Sequence, residues 1–222
     1  MMKGWKRVIW SDESSIILAR KSRQCRGLRK KGQAFLPRHC DGTMKSRKVT
    51  MMIWACFTGE GLGSLIVCDA DSVNADHYLE ILKDDIVTLI DALLKPASEA
   101  NSITVTIDDI FLFMHDNAPC HTATKVTTFL KKRHLSTMKW PAQSLDLNPI
   151  ENIWTDFKKH FHTRCYRLGL KPFTLPEVLE KFTNILRELR RDQGMELITK
   201  LIESMPRHVA AVITARGGHT KY

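Results

Sequence analysis

Paired cysteines are missing from this sequence. Its six cysteines stand at positions 25, 40, 56, 68, 120 and 165, and no two of them form a Cys-x-x-Cys pair. We therefore expect reduced thiols in an intracellular protein, with no disulfide framework. His39 and Cys40 are adjacent, but no second pair stands at ligand spacing, so we expect no structural zinc site.

Long apolar runs are also missing. No run approaches the roughly 20 residues that cross a membrane, and the first residues, MMKGWKR, lack the apolar core of a signal peptide. No internal repeat or low-complexity segment interrupts the chain. A length of 222 residues with 43% hydrophobic content suffices for one sizeable core, so we predict a soluble protein with a single domain over residues 1–222.

Acidic residues are scarce between positions 20 and 48, where Asp41 stands alone among many lysines and arginines. This segment accounts for the excess behind the formal net charge of +10. Such a run is usually a solvated surface segment. It can also bind a polyanion, because each Lys or Arg set against a phosphate releases a counterion. We favour the second interpretation and predict a phosphate-binding basic loop over residues 20–48.

Apolar patterns predict alternating strands and helices, and hence an α/β fold. The predicted strands cover residues 7–10, 15–18, 49–57, 64–68, 110–114 and 137–140, with a glycine-rich turn at 59–63. The predicted helices cover residues 74–94, 121–134 and 149 onward, followed by a helical C-terminal part over 174–222 with helices at 175–190 and 195–204. Asn74 or Asp76 can cap the first helix. We interpret residues 95–102 as a surface loop.

Three carboxylates stand where these elements end or begin. Asp12 follows the first predicted strand, Asp116 follows the fifth, and Glu151 lies in the first turn of the helix that Asn148 caps. Open α/β sheets collect their chemistry at such edges. Structural interpretations remain for each, because aspartates form turns and Glu151 fits a capping box. Glu13 competes with Asp12, but its side chain points the opposite way if the strand continues.

The residues around these carboxylates resemble the catalytic motifs of the Tc1/mariner family of DNA transposases. Residues 115–123 read HDNAPCHTA and residues 144–154 read SLDLNPIENIW, like the second and third motifs of that family. The first motif is then VIWSDES at residues 8–14. Between Asp116 and Glu151 lie 34 residues, the spacing of the Tc1-like branch, and the final residues, RGGHTKY, also resemble a Tc1-type C-terminus.

This resemblance implies an RNase H-like α/β fold of the retroviral-integrase type, with a mixed central sheet flanked by helices. It implies metal-dependent DNA cleavage and strand transfer, with Asp12, Asp116 and Glu151 as the catalytic and metal-binding residues. The expected cofactor is a pair of Mg²⁺ ions, for which Mn²⁺ can substitute, because these ions prefer carboxylate oxygens. Asn117 and Asn152, each beside a carboxylate, are predicted to hold those carboxylates in position.

The resemblance also makes DNA the expected partner, both as transposon ends and as target, and implies a homodimer and a location in the nucleus. We expect no membrane partner and no organic cofactor. The predicted DNA contacts in the basic loop are Arg20, Lys21, Arg23, Arg26, Arg29, Lys30, Lys31, Lys45, Arg47 and Lys48. An alternative role for this loop is to reach across to a partner subunit.

Histidines and a cysteine surround Asp116. His121 is predicted either to orient a carboxylate or to contact a phosphate of DNA. His115, Cys120 and His121 could suggest a transition-metal site, but their spacing is unfavourable and we expect none.

Two features depart from the family pattern. Leu145 replaces the proline that is usual in the third motif, a loop change that we expect to be mild. The chain begins almost at the first motif, so we expect no helix-turn-helix module ahead of it. An alternative function is therefore that of a catalytically inactive or host-adapted, transposase-derived DNA-binding protein. A nuclease acting on RNA or hybrids is a third possibility, which no sequence feature supports.

Overall fold

The computed structural model of this chain describes residues 2–17, 50–68, 72–100, 111–141, 144–167, 180, 184, 192–218 and 220. The ten lysines and arginines predicted to contact DNA lie outside the described residues, and so does most of the helix predicted at 175–190. Among the described helices, none combines the length and apolar character that crossing a membrane requires.

A four-stranded mixed sheet forms the centre of the molecule. Its strands are β1 (Val8–Ile17), β2 (Thr50–Thr58), β3 (Gly61–Cys68) and β4 (Leu112–Met114), in the spatial order β3-β2-β1-β4. Strands β1, β2 and β3 pair antiparallel, whereas β4 lies parallel to β1. The predicted mixed sheet is therefore confirmed.

The first strand is longer than predicted. We expected two short strands with Asp12 at the end of the first, but β1 is one strand of ten residues with Asp12 in its middle. Pairing with β2 continues through Ile17, which keeps the chain extended. The β4 partner, however, pairs only with Val8, Ile9 and Trp10. Asp12 therefore projects just past the point where the parallel neighbour has ended.

Strands β2 and β3 form a tight hairpin. The turn consists of Gly59 and Glu60, and β3 begins at Gly61 instead of position 64. Gly61 has a φ of +139°, a backbone conformation that side chains disfavour. At Gly59, an added Cβ would lie 2.6 Å from the Cβ of Lys6. Glycine at this turn therefore allows the hairpin to approach the N-terminal segment closely.

The described part of the first half contains three α-helices. These are α1 (Met2–Lys6), α2 (Ala75–Ile81) and α3 (Val87–Ala100), and a π-helical turn at Leu82–Ile86 joins the last two. Asn74 caps α2 as predicted, since its side chain accepts hydrogen bonds from the backbone of Asp76 and His77 at 2.8 and 3.0 Å. The predicted loop at 95–102 is wrong as far as Ala100, because α3 continues through Pro96. Proline disfavours a helix interior, because it donates no hydrogen bond and its ring clashes with the preceding turn, but the alanines and Glu99 that follow favour helix.

Among the described residues of the second half, four α-helices have both ends defined. These are α4 (Pro119–Thr122), α5 (Thr124–Lys132), α6 (Ile150–Arg167) and α7 (Asp192–Thr214). The single helix predicted at 121–134 is thus two helices, because Ala123 adopts an extended conformation between them. Helix α7 extends well beyond the predicted 195–204 and contains Pro206.

The edge strand predicted at 137–140 is reduced to one bridge. Phe113 donates its N–H to Ser136 and accepts from Met138, both at 2.8 Å, and bridges Thr137. Because β4 has only three residues, it gives residues 137–140 too short an edge to pair along their whole length.

Two hydrophobic clusters cover the two faces of the sheet. Val8, Trp10 and Ile16 pack on one face, with α6 and α7 residues such as Trp154. Ile9 packs on the other face, with residues of α2, α3 and α5. Successive residues of a strand alternate between faces. Asp12 therefore shares the face of Trp10, towards α6, and the next residue faces α2.

Candidate active site

Asp12 is fixed by two hydrogen bonds. The N–H of Glu13 donates to its Oδ1 at 2.8 Å, and the amide Nδ2 of Asn148 donates to its Oδ2 at 3.3 Å. The second bond crosses from the sheet to the segment that precedes α6. Because of this bond, the first motif (residues 8–14) and the third motif (residues 144–154) meet at Asp12.

The pKa of Asp12 is strongly raised, from 3.8 to about 8. Burial is the main cause, because it disfavours the charged form. The negative charge of Glu13 also raises the pKa, although the backbone bond from the same residue lowers it. The charges of Glu151 and Asp116 raise the pKa further. Asp116 and Glu151 are therefore both close enough for their charges to act on Asp12.

Asp116 lies two residues beyond β4, and its side chain is 50% exposed. Its Oδ1 accepts two hydrogen bonds, one from Nδ1 of His121 at 2.6 Å and one from the N–H of Ala118 at 2.8 Å. The bond from His121 is the main reason that the pKa of Asp116 is lowered. Asp116 is therefore held as a carboxylate anion.

His121 lies between two acids. Its Nδ1 donates to Asp116, and its Nε2 donates to Oε1 of Glu13 at 3.1 Å. Burial lowers the pKa of this ring, but the hydrogen bonds to Asp116 and Glu13 outweigh it and raise the pKa to about 10. The side chain is only 2% exposed. This geometry favours the orienting role predicted for His121 over contact with a DNA phosphate.

Glu151 lies in the first turn of α6, which begins at Ile150, one residue later than expected. Asn148 caps this end, because its Oδ1 accepts from the N–H of Ile150 at 3.4 Å. Its backbone oxygen also accepts from the N–H of Glu151 at 3.2 Å. A carboxylate at a helix N-terminus is favoured by the helix dipole. The predicted apolar face of α6 is confirmed by its buried residues, Ile150, Ile153, Trp154, Phe157 and Phe161.

Asn148 is a site residue whose place in the sequence indicated only a helix cap. It is 4% exposed and joins Asp12 on the sheet to the helix that carries Glu151. Asn117 donates instead to the backbone oxygen of Trp140 at 2.8 Å, and Asn152 is exposed on α6. That these two asparagines hold carboxylates stays a prediction. An asparagine beside a proline signals a cap, and no local pattern reveals its distant partner.

His115 and Cys120 lie beside the carboxylates. The hydroxyl of Tyr78 donates to Nδ1 of His115 at 3.1 Å, and burial together with the charge of His121 lowers the pKa of His115 to about 4. Cys120 is partly buried in α4. In the part of the chain that the structure describes, no three His, Cys, Asp or Glu side chains form a ready cage for one metal ion.

The third motif is anchored from the C-terminal region. Residues Leu145–Leu147 form a 3₁₀ turn that packs on α7. The hydroxyl of Thr220 donates to Oδ2 of Asp146 at 3.3 Å. Leu145, which stands where the family has proline, is 65% exposed, so its side chain adds little to the packing of the turn.

Known proteins resemble this chain in sequence. The family described as DDE superfamily endonuclease matches residues 7–167. The Tc1 transposase of Caenorhabditis elegans is 30% identical over 220 residues, which cover 98% of this chain and 71% of the relative. The Tcb1 transposase of Caenorhabditis briggsae is 30% identical with the same coverage of both chains.

Solved structures resemble this chain in fold. The Mos1 transposase catalytic domain, in a structure with raltegravir and Mg, superposes with a TM-score of 0.60 at 20% identity, over 98% of this chain and 87% of that one. The Mos1 transposase paired-end complex with the left transposon end gives a TM-score of 0.67 at 20% identity, over 97% of this chain and 56% of that one. The fold is therefore the RNase H-like fold that the resemblance to the Tc1/mariner family implied.

Proposed function

Since this chain belongs to the family of DDE superfamily endonucleases and is a Tc1-like transposase catalytic domain, we propose that it cuts DNA at transposon ends and joins those ends to target DNA. One observation supports this reaction above all. Asp12, Asp116 and Glu151 come from a strand, a strand end and a helix start, yet Asp116 and Glu151 both raise the pKa of Asp12.

A divalent metal ion fits this site. The negative charges of Asp116 and Glu151 both raise the pKa of Asp12, and a cation among these carboxylates would offset that repulsion. Mg²⁺ is usually held by one or two carboxylates, with water and phosphate oxygens completing its shell, so the lack of a three-residue cage among the described residues is compatible with it. The Mos1 catalytic domain has been solved with Mg and with Mn. We propose two ions, which when bound supply an activated nucleophile and neutralise charge on the attacking and leaving oxygens.

Asp12, Asp116 and Glu151 would hold these ions. The amide of Asn148 orients Asp12, the ring of His121 orients Asp116, and the start of α6 presents Glu151. Because these carboxylates are already held, little reorganisation is required when DNA arrives.

The reaction has two steps at the same carboxylates. In the first step, water attacks the phosphodiester at the element's end and the DNA 3′ oxygen leaves, which yields a free 3′-hydroxyl. In the second step, that hydroxyl attacks a phosphodiester of the target and displaces the target's own 3′ oxygen. Each step exchanges one phosphate–oxygen bond for another, so no covalent protein intermediate is needed.

The proposed reaction also implies a DNA partner, an oligomeric state and a location in the cell. The formal net charge of +10 favours a polyanionic partner, and solved Mos1 relatives include a paired-end complex with a transposon end. We propose that this chain binds transposon ends and target DNA, with the basic loop at 20–48 as a contact. Joining two ends suits a homodimer, and access to chromosomal DNA in a eukaryote requires the nucleus.

A strand-transfer assay tests the proposed function. Labelled DNA, including a pre-nicked end with a free 3′-hydroxyl, is incubated with plasmid target in Mg²⁺ or Mn²⁺. We expect joined products from the wild type and none from Asp116→Asn. The matched control is Asp84→Asn, which changes an exposed aspartate on the π-helical turn and should leave the products unchanged. Equal, negligible products from the wild type and Asp116→Asn, with salt-sensitive DNA binding retained, would instead indicate a transposase-derived DNA-binding protein.

A further inference from the structure

Glu13 and its neighbour Asp12 contact different parts of the molecule. The two residues are adjacent on β1, so their side chains project from opposite faces of the sheet. Asp12 turns towards α6 and meets Asn148, whereas Glu13 turns towards α2 and meets His121 at 3.1 Å. Glu13 therefore cannot take the place of Asp12 at the same side of the sheet.

We propose that Glu13 and His121 form a positioning pair that holds Asp116 with its Oδ1 occupied, so that its Oδ2 is the oxygen offered to a divalent cation. This inference rests on the proposed function, because it assigns a task within the same site. Neither Glu13 nor His121 touches the cation in this arrangement. Both act through Asp116.

Asp116 needs such support because the short strand before it does little to fix the position of its side chain. It follows a strand of only three residues, and that strand pairs with β1 no further than Trp10. The side chain is half-exposed and so has rotamer freedom to lose. Two donors, His121 and the N–H of Ala118, converge on Oδ1 at 2.6 and 2.8 Å and select one orientation.

His121 is itself held rigidly. Its ring centroid lies 4.0 Å from that of Tyr78, a residue of α2 that is 0% exposed. The ring of His115 lies on another side, with centroids 5.2 Å apart. Contact with these rings fixes the plane of the imidazole, and the bond from Nε2 to Glu13 fixes its rotation. Nδ1 is thereby aimed at Asp116.

The result is that one short piece of β1 sets two catalytic carboxylates. Asp12 is placed directly on the strand, and Asp116 is placed through Glu13 and His121 from the opposite face. The distance between the two carboxylates then depends on β1 more than on the short pairing between β1 and β4. Hydrogen-bonded supports of metal ligands typically contribute about ten- to a hundredfold in metal affinity or activity.

Mn²⁺ binding to the full chain, followed by electron paramagnetic resonance and by calorimetry without DNA, tests the proposal. Asparagine places a donor near the position of His Nδ1, whereas glutamine places one near Nε2. We expect His121→Gln to weaken Mn²⁺ binding about tenfold or more, whereas His121→Asn, which keeps the donor to Asp116 and loses only the bond to Glu13, should weaken it no more than Glu13→Ala does. Circular dichroism and thermal unfolding verify that each variant is folded.

Glu13 provides a second test that does not depend on how His121 variants fold. Glu13→Ala should weaken Mn²⁺ binding several-fold, by about three to ten times. Combined with His121→Gln, it should add little, because Glu13 acts through the ring that is already gone. Additive losses in the double variant would refute this coupling.

Asp116→Ala separates this inference from the proposed function. If Asp116→Ala weakens Mn²⁺ binding but His121→Gln binds Mn²⁺ like the wild type, the positioning pair is wrong and the metal site stands. If Asp116→Ala itself binds Mn²⁺ like the wild type, the metal site of the proposed function is wrong, and the inference falls with it.

Discussion

Replacing Asp12 by asparagine should abolish activity and at the same time stabilise the metal-free protein. In the folded state the pKa of Asp12 is about 8, against 3.8 in the unfolded chain. Its contribution to stability is therefore greatest below pH 4 and is lost as the pH rises towards 8. At pH 7 the loss covers roughly three pKa units at 1.36 kcal/mol each, or about 4 kcal/mol.

Asparagine removes most of this cost because it cannot ionise. It keeps an oxygen for the N–H of Glu13, but it loses the bond from Asn148, which subtracts about 1 kcal/mol. We therefore expect Asp12→Asn to be more stable than the wild type by about 2–3 kcal/mol at pH 7. For a protein of this size, that gain corresponds to a Tm higher by roughly 5–10 °C.

Urea unfolding in EDTA, at pH 4.5 and at pH 7 to 8, measures the effect. The advantage of Asp12→Asn should be absent near pH 4.5 and should grow up to pH 8, and Mn²⁺ should reduce it by stabilising only the wild type. Asp91→Asn, at an exposed position on α3, is the matched control and should show neither trend. The reasoning is refuted if Asp12→Asn equals the wild type, or is less stable, at pH 8 in EDTA.

Three further changes probe other parts of the site and fold. Asn148→Ala removes the bond to Asp12 and the cap of α6. It should therefore lower the free energy of unfolding by about 1–2 kcal/mol and reduce the rate of strand transfer. An unchanged midpoint of urea unfolding together with an unchanged strand-transfer rate would contradict this prediction. In the metal-free protein, the raised pKa of His121 contributes stability that is fully present below pH 6.5 and is lost as the pH approaches about 10. Urea unfolding across that pH range should therefore show the free energies of unfolding of the wild type and of His121→Gln converging as the pH rises. Gly59→Ala places a Cβ 2.6 Å from the Cβ of Lys6 and should cost about 1–3 kcal/mol by thermal unfolding, whereas the control Gly4→Ala meets no atom within 4 Å and should cost little.

Some features were predictable because they depend on near neighbours in the chain. Alternation along β1 predicted that Asp12 and Glu13 point opposite ways, and they do meet different partners, Asn148 and His121. Asn74 caps α2 as its position indicated. Other local signals misled. The apolar pattern predicted a first strand that ends at Trp10, before Asp12, but pairing with β2 extends the strand to Ile17. Ala123 carries no breaking signal, yet it divides the helix predicted after Asp116.

The sequence by itself determined which carboxylates are the candidates, since the motifs and the 34-residue spacing distinguish Asp12, Asp116 and Glu151 among 24 acidic residues. Only the tertiary structure decided how they are held. Asn148 meets Asp12 across 136 positions of the chain, and His121 meets Glu13 across 108. Periodicity fixes the face on which a side chain lies, but its partner on that face depends on strand order and helix packing, which no local pattern contains.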